Sequence, residues 1–504
     1  MSSTATNAIF QAVAKIFGTG LYAVFGLLLA RLVPGRENGV YTLMSTLLFF
    51  GSLASNFGVP FVAVRAIARD RSRAAEVFVD TRTAVLMGAG LALLLPLVWV
   101  TFEMNLLGEW DNRRLLLSFL VCGIILAEAL GSLGDMMFQA HEDMRVSSVV
   151  EAASGLFRAG GATIAVILLP LEWKIVGVYT VFLLGSGLRG ILMPILARRR
   201  FLSGPLPTKS FRRAFDLLKE AFFLAVFRML RMIRNRVDSL LLGLLISGGV
   251  LGAMESADLS RALYAQAMRV VIIFNMLSVA FNTALFPRMV RLSSDKGDQA
   301  EVRVTYFRAL RVQAWWAIPL ACGLWFYADG VAGLFGAEYL NGYEALGGST
   351  GDVLRVLSFA MMVDVIGGPV GLIIMGVPGM DRKLPKLGAM LAVVSIILNV
   401  ILIPKFGIMG AAYSSLGAAC FEFFLKLTVV SRILGSPTPM IGIFFPFVLA
   451  SVVMVFGLQK LGFKDSLLIG PVLGATFYFL VTILTRSTDP KINQIIARNI
   501  LRRK

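Results

Sequence analysis

Six arginines, Arg158, Arg228, Arg231, Arg234, Arg269 and Arg311, lie in or beside stretches of chain that are otherwise apolar. A guanidinium in such surroundings is expensive to keep, stays charged, and can grip two oxygens of one anion. The setting therefore suits the holding of a phosphate-like anion where water is scarce. Arg228, Arg231 and Asp238 recur at spacings that share one helix face, and Arg234 continues the stripe. A second reading stays open: Arg228 to Arg236 mark a helix start whose guanidiniums sit among lipid headgroups, and Arg308 and Arg311 do the same as snorkelling anchors. Asn275, with Asn282 and Asn399, either lines a cavity or bonds across helices.

Carboxylates in apolar stretches can be neutral on one side of a barrier and charged on the other, which suits proton or sodium coupling. Glu128 and Asp135, seven apart on one helix face, are the leading pair; Asp238, Asp364 and Glu422 are the others. The competing role is to neutralise a nearby arginine and tie helices together. Pro60, Pro287 and Pro369 remove backbone donors within or near apolar stretches and are candidate hinges. Catalytic chemistry finds little support. His141 is the only histidine, Cys122, Cys322 and Cys420 all lie in apolar segments, and there is no Walker-type phosphate loop. No catalytic residue, metal site or cofactor is expected.

The elements that must position these residues follow from composition. Of 504 residues, 57% are hydrophobic and 15% charged, with a mean hydropathy of +0.79. A soluble chain carries roughly a quarter of its residues charged, so this is an all-α polytopic membrane protein. Windows of about 20 residues give fourteen spans, near 12–30, 40–64, 83–102, 115–138, 149–170, 175–196, 221–246, 262–286, 306–327, 353–377, 386–403, 408–430, 440–458 and 466–485. The net charge of +18 gathers in alternate loops, such as the one holding Arg198, Arg199, Arg200, Lys209, Arg212 and Arg213. That alternation follows the positive-inside rule, placing both termini in the cytoplasm, and argues against a nucleic-acid partner. The first apolar stretch runs to Arg31 without a small-x-small site, so no cleavable leader is expected. The tail 487–504 alternates isoleucines with basic residues and is expected to lie on the membrane surface.

The chain also repeats itself. Asp70-Arg71-Ser72-Arg73-Ala74-Ala75-Glu76-Val77 after the second span answers to Asp295-Lys296-Gly297-Asp298-Gln299-Ala300-Glu301-Val302 after the eighth. Val166-Ile167-Leu168-Leu169-Pro170, followed by Ile175-Val176-Gly177, answers to Val400-Ile401-Leu402-Ile403-Pro404, followed by Ile408-Met409-Gly410. An even repeat of six spans implies two parallel bundles around a central cavity, 1–200 and 201–435. Two extra helices fill 436–486 and the tail follows.

Gly39-Val40-Tyr41-Thr42-Leu43, Phe57-Gly58-Val59-Pro60 and Arg65-Ala66-Ile67-Ala68-Arg69-Asp70-Arg71 resemble the second span and following loop of polysaccharide exporters. Asn399 to Ala412 resembles the turn between spans eleven and twelve of the same family, which sits in the multidrug/oligosaccharidyl-lipid/polysaccharide flippase superfamily. The resemblance covers essentially the whole chain. It implies a non-enzymatic, Wzx-type flippase in a bacterial cytoplasmic membrane. That flippase would move undecaprenyl-pyrophosphate-linked oligosaccharides by alternating access, coupled to protons or sodium, for O-antigen, capsule or exopolysaccharide synthesis. Its partners would be membrane lipids, the lipid-linked oligosaccharide and polysaccharide-assembly enzymes. A lipid II-type flippase and a cation-coupled multidrug exporter of the same superfamily are the alternatives.

Overall fold

The computed structural model describes residues 20–22, 24–202, 204–246, 253–292, 299–371, 384–434 and 439–485, and among them there are helices and turns but no strand. Among the described residues, helix lies over at least part of each of the fourteen expected spans, with 40–64 and 83–102 each divided between two helices and several boundaries moved. Ten of the described spans are long and apolar enough to cross a bilayer, and the bent pair Ala300–Phe326 and Ala328–Phe335 makes eleven. Their lipid-facing character is plain from side chains such as Leu91, Val98, Phe102 and Ile167, which are more than half exposed. So much bare apolar surface would not be tolerated in water but is what the hydrocarbon core requires.

By its contacts the chain divides into two compact units, Met1–Ala262 and Leu263–Lys504. The first holds α1 (Gly20–Leu32), α2 (Gly35–Asn56), α3 (Val59–Arg69), α4 (Ala74–Ala92), α5 (Leu94–Leu107), α6 (Asn112–Ala140), α7 (Met144–Leu168), α8 (Leu171–Phe201) and α9 (Phe211–Leu245). Helix α10 (Ala253–Leu292) begins in it. The closest packing joins α6 to α8 and α7 to α8, while α9 lies on α2, α3 and α4. Helix α9 therefore sits with the first unit, although the sequence repeat groups it with the second.

Local chemistry explains where these helices break. The second span is interrupted where Phe57 (φ 44°) and Gly58 (φ 71°) both enter the left-handed region; α3 then restarts with Pro60 in its first turn, where a missing N–H costs nothing. Asp111 accepts a hydrogen bond from the Arg113 N–H at the start of α6, and Ser210 does the same for Arg213 at the start of α9.

The second unit contains α11 (Gln299–Phe326), α12 (Ala328–Phe335), α13 (Ala337–Asn341), α14 (Thr350–Ile366), α15 (Leu384–Phe406), α16 (Ile408–Leu434), α17 (Pro439–Lys460) and α18 (Ile469–Leu484). Part of the expected loop 328–352 is helical, because α11 bends by 67° into α12. A reciprocal cap starts α14: Ser349 and Asp352 each satisfy the other's backbone N–H. The two extra helices, α17 and α18, pack on each other and on α11 around Phe447, Met454 and Tyr478. The tail 487–504 lies outside the described residues.

Candidate functional site: a charged network in the first unit

Three apolar helices of the first unit bring five ionisable side chains together. Glu128 and Asp135 come from α6, Glu151 and Arg158 from α7, and Arg189 from α8. Arg158 Nη1 lies 3.5 Å from Glu128 Oε1 and its Nη2 lies 3.5 Å from Glu151 Oε1. Arg189 Nε is 2.8 Å from Glu151 Oε2, and its Nη2 is paired directly with Asp135. Hydroxyls complete the network: Ser52 donates to Glu128 Oε2 at 2.6 Å, Ser147 donates to Asp135 Oδ1 at 2.6 Å, and Arg158 Nη1 reaches Ser186 Oγ at 3.4 Å. Glu151 is half exposed, whereas Arg158 and Arg189 are only 13% and 15% exposed. The network is thus open at Glu151 and shielded at its cations.

Glycines make room for both arginine stems. A Cβ on Gly185 would stand 2.6 Å from Arg158 Cγ, and one on Gly131 would stand 3.1 Å from Arg189 Nη1. With two guanidiniums against three carboxylates, the network carries a formal charge of −1 when all are ionised. Arg158 Nε and Arg189 Nε are both buried and make no hydrogen bond among the described residues, leaving two cationic donors unsatisfied in a place where that is costly.

A second cluster is more deeply buried. Arg261 Nη2 pairs with Glu103 Oε1 at 2.5 Å, its Nη1 lies 3.4 Å from Asp258 Oδ1, and its Nε donates to the Ser239 carbonyl at 3.1 Å. Arg114 pairs with Asp258 from the other side and lies 3.6 Å from Asp111. All four central residues are at most 2% exposed. Two guanidiniums here balance two carboxylates. Gly243 gives Arg261 its space, since a Cβ there would be 1.5 Å from Nη2, and Gly39 lets α2 meet the Asp258 backbone.

The other expected residues are dispersed. Arg228 rests over the Phe61 ring at 4.5 Å, Arg231 is exposed, Arg234 is half-buried and Asp238 is buried, all along α9. In the second unit Arg269 Nη1 donates to Gln266 Oε1 at 2.8 Å, and Asn275 and Asp364 are half-buried. Glu422 pairs with Lys426 of its own helix at 2.5 Å. Arg311 lines a surface cleft on α11. Asn282 bonds across helices to Gln313, while Asn399 bonds to the Ser395 carbonyl of its own helix. Pro60 opens α3 next to the Phe57-Gly58 break, and Pro369 lies two residues after the turn at Gly367, within the helical residues 368–371. Pro287 falls within α10, and its side chain lies outside the described residues. His141 caps α6, with Nδ1 2.9 Å from the Met137 carbonyl, and stacks on Phe201. Among the described residues no group of His, Cys, Asp or Glu is arranged to hold a metal ion.

Sequence reasoning missed Arg189 and Glu151, and all four members of the buried cluster. The Arg158 and Glu128 pairing was available as the neutralising alternative, and the structure brings those two together.

A helical bundle of this kind, with charges embedded between apolar spans, defines a multi-pass membrane protein. The chain belongs to the polysaccharide biosynthesis protein family, whose model matches residues 4–293, more than half its length. It is similar to two Haloferax volcanii proteins. One is "Probable flippase AglR", 23% identical over 474 residues that cover 92% of each chain. The other is "Probable low-salt glycan biosynthesis flippase Agl15", 23% identical over 420 residues that cover 82% of this chain and 80% of the relative. Its fold is similar to that of the lipid II flippase MurJ in an inward closed conformation, with a TM-score of 0.74, 16% identity, and coverage of 95% and 99% of the two chains. An inward-facing multidrug resistance MATE family transporter of the MOP superfamily gives a TM-score of 0.59 at 14% identity, covering 85% and 99%.

Proposed function

We propose that the protein is a non-enzymatic flippase that moves an undecaprenyl-pyrophosphate-linked oligosaccharide from the cytoplasmic to the outer leaflet for surface polysaccharide synthesis. The two six-span repeats work by alternating access, and both termini are cytoplasmic. The observation that carries the reading is the Arg158–Arg189 network, embedded in apolar helices of a chain whose relatives along nearly its whole length are named flippases.

Both guanidiniums are already matched by carboxylates, so a pyrophosphate gains them only by exchange. Proton uptake at Glu128 or Glu151 releases Arg158 nitrogens, and the partner-free Nε supplies one more donor. The incoming pyrophosphate then replaces a carboxylate as the guanidinium's partner, so no bare charge is created in a medium where that is prohibitive. Loss of the proton on the far side restores the internal pairs and expels the anion. On this reading Glu128 and Asp135 couple transport to a proton gradient, and the breaks near Pro60, Pro287 and Pro369 give the hinges.

Reconstitution tests it. Proteoliposomes carrying a fluorescent undecaprenyl-pyrophosphate oligosaccharide should show leaflet transfer that an imposed proton gradient accelerates. Transfer should fall at least about tenfold in Arg158→Gln and Arg189→Gln, and Glu128→Gln should transfer without responding to the gradient. Wild-type vesicles that transfer no lipid-linked sugar but export cationic dyes would refute the substrate, and transfer unaltered by Arg158→Gln would refute the site.

A further inference from the structure

Helix α11 has two unlike faces. Val302, Tyr306, Leu310 and Ala314 are buried in the core of the second unit. The adjacent face carries Arg303, Val304, Phe307, Arg308 and Arg311, which together line a cleft of about 340 Å³. Arg303 and Arg308 are exposed and Arg311 is half-buried. Arg303 stands over the Phe307 ring at 5.9 Å, and none of the three arginines has a carboxylate partner among the described residues. That contrasts with Arg158, Arg189, Arg114 and Arg261, all of which are paired.

Depth gives the cleft its meaning. Taking Phe326, where α11 bends into α12, as the far side of the hydrocarbon core, Arg311 lies roughly 22 Å and Arg303 roughly 34 Å back along the helix at 1.5 Å rise per residue. The hydrocarbon core is about 30 Å thick, so the three guanidiniums straddle its boundary, and Arg311 reaches that boundary by snorkelling. We propose that this cleft is a binding site for the phosphate of an anionic phospholipid headgroup. Arg303, Arg308 and Arg311 donate to the phosphate oxygens, and Val304 and Phe307 form an apolar floor for the neck of the lipid. Three cations without a carboxylate partner among the described residues, at headgroup depth and beside apolar side chains, complement a phosphodiester attached to an acyl chain. The site is separate from the network of the first unit and does not depend on what the protein transports.

Native mass spectrometry of the purified full chain, titrated with phosphatidylglycerol or phosphatidylcholine, reads the site directly. Wild type should retain phosphatidylglycerol in preference to phosphatidylcholine. The triple variant R303Q/R308Q/R311Q should lose that preference, with at least about a tenfold weaker apparent affinity. Should the triple variant not fold, R303Q and R308Q alone carry the test, because both positions are exposed and each should weaken the adduct, whereas R71Q in a loop of the first unit should not. Equal retention of the two lipids by wild type, or an unchanged adduct in the variants, would overturn the proposal. Undecaprenyl pyrophosphate or inorganic pyrophosphate displacing the lipid at far lower concentration than phosphatidylglycerol competes with itself would also overturn it, assigning the cleft to a diphosphate ligand instead.

Discussion

Replacing Arg261 by Met should be among the most destabilising single changes in this chain. Arg261 is fully buried and is the partner of Glu103, whose second oxygen has no hydrogen bond, and it shares Asp258 with Arg114. Methionine fills much of the same volume, so the cavity contribution is small and the loss is electrostatic. Glu103 would be left as an unpaired buried carboxylate, at a cost of about 3–5 kcal/mol. Glu103→Gln alone should leave Arg261 with Asp258 and the Ser239 carbonyl, and should cost less. The pair Glu103→Gln with Arg261→Met removes one charge of each sign and leaves Arg114 facing Asp258. Its stability should return to within about 2 kcal/mol of wild type. A double-mutant cycle measured by denaturant titration in mild detergent, followed by tryptophan fluorescence, gives the coupling energy. A single Arg261→Met variant as stable as wild type, or a double variant whose loss equals the sum of the two singles, would show that the cluster does not act as one unit.

Other perturbations follow from the same geometry. Gly243→Ala puts a Cβ where the Arg261 guanidinium lies, and the three partners of Arg261 prevent it from yielding, so the cost should approach that of losing Arg261 and appear as a lowered melting temperature. Asp80→Asn weakens the two-nitrogen grip of Arg213, at 2.7 and 3.3 Å, and should cost about 1–2 kcal/mol while raising hydrogen exchange at the start of α9. Ser349→Ala removes half of the reciprocal cap of α14 and should cost about 1 kcal/mol, read in the same titration. Asp70 accepts hydrogen bonds from the Ser72 amide and hydroxyl, which hold its carboxyl below the ordinary carboxylate value. That contribution is present above the unfolded value and is lost as pH falls through the lowered folded one. Ser72→Ala should move the titration upward, as followed by the Asp70 carboxyl carbon resonance.

Hydropathy made the spans legible because each apolar run leaves the same mark wherever its helix packs. The same measure hid the buried cluster. A window closes at the first charge, so Glu103 and Arg114 fall just outside the third and fourth spans, and Asp258 and Arg261 just before the eighth. All four then read as loop residues, although the helices continue through them as α5, α6 and α10. Whether a charge at a span end meets water or a counter-charge depends on residues about 150 positions away, as with Glu103 and Arg261, and no local pattern carries that information. Gly39 and Gly243 were the nearest sequence trace, since each marks a point where a neighbour comes too close for a side chain. Helix α9 shows the opposite limit. Its arginines lower its hydropathy, yet they are accommodated by Phe61, Phe49 and Asp80 rather than by one shared ligand.

The pairing pattern also constrains how any anion could be carried through the first unit. A fixed positive pocket would bind a diphosphate tightly and release it poorly, because nothing in the site would compete for the cations once the anion had arrived. The Arg158–Arg189 network has the opposite character: three carboxylates compete for two guanidiniums, and Glu151, the one touching both, is the most exposed member. An anion can enter only as a carboxylate leaves or is protonated, and it is pushed out when the carboxylate returns. On the proposed reading, binding and release differ by a proton and a side-chain rotation rather than by the creation of a buried charge. The cost of crossing the membrane is then spread over pairs that exist before the substrate arrives.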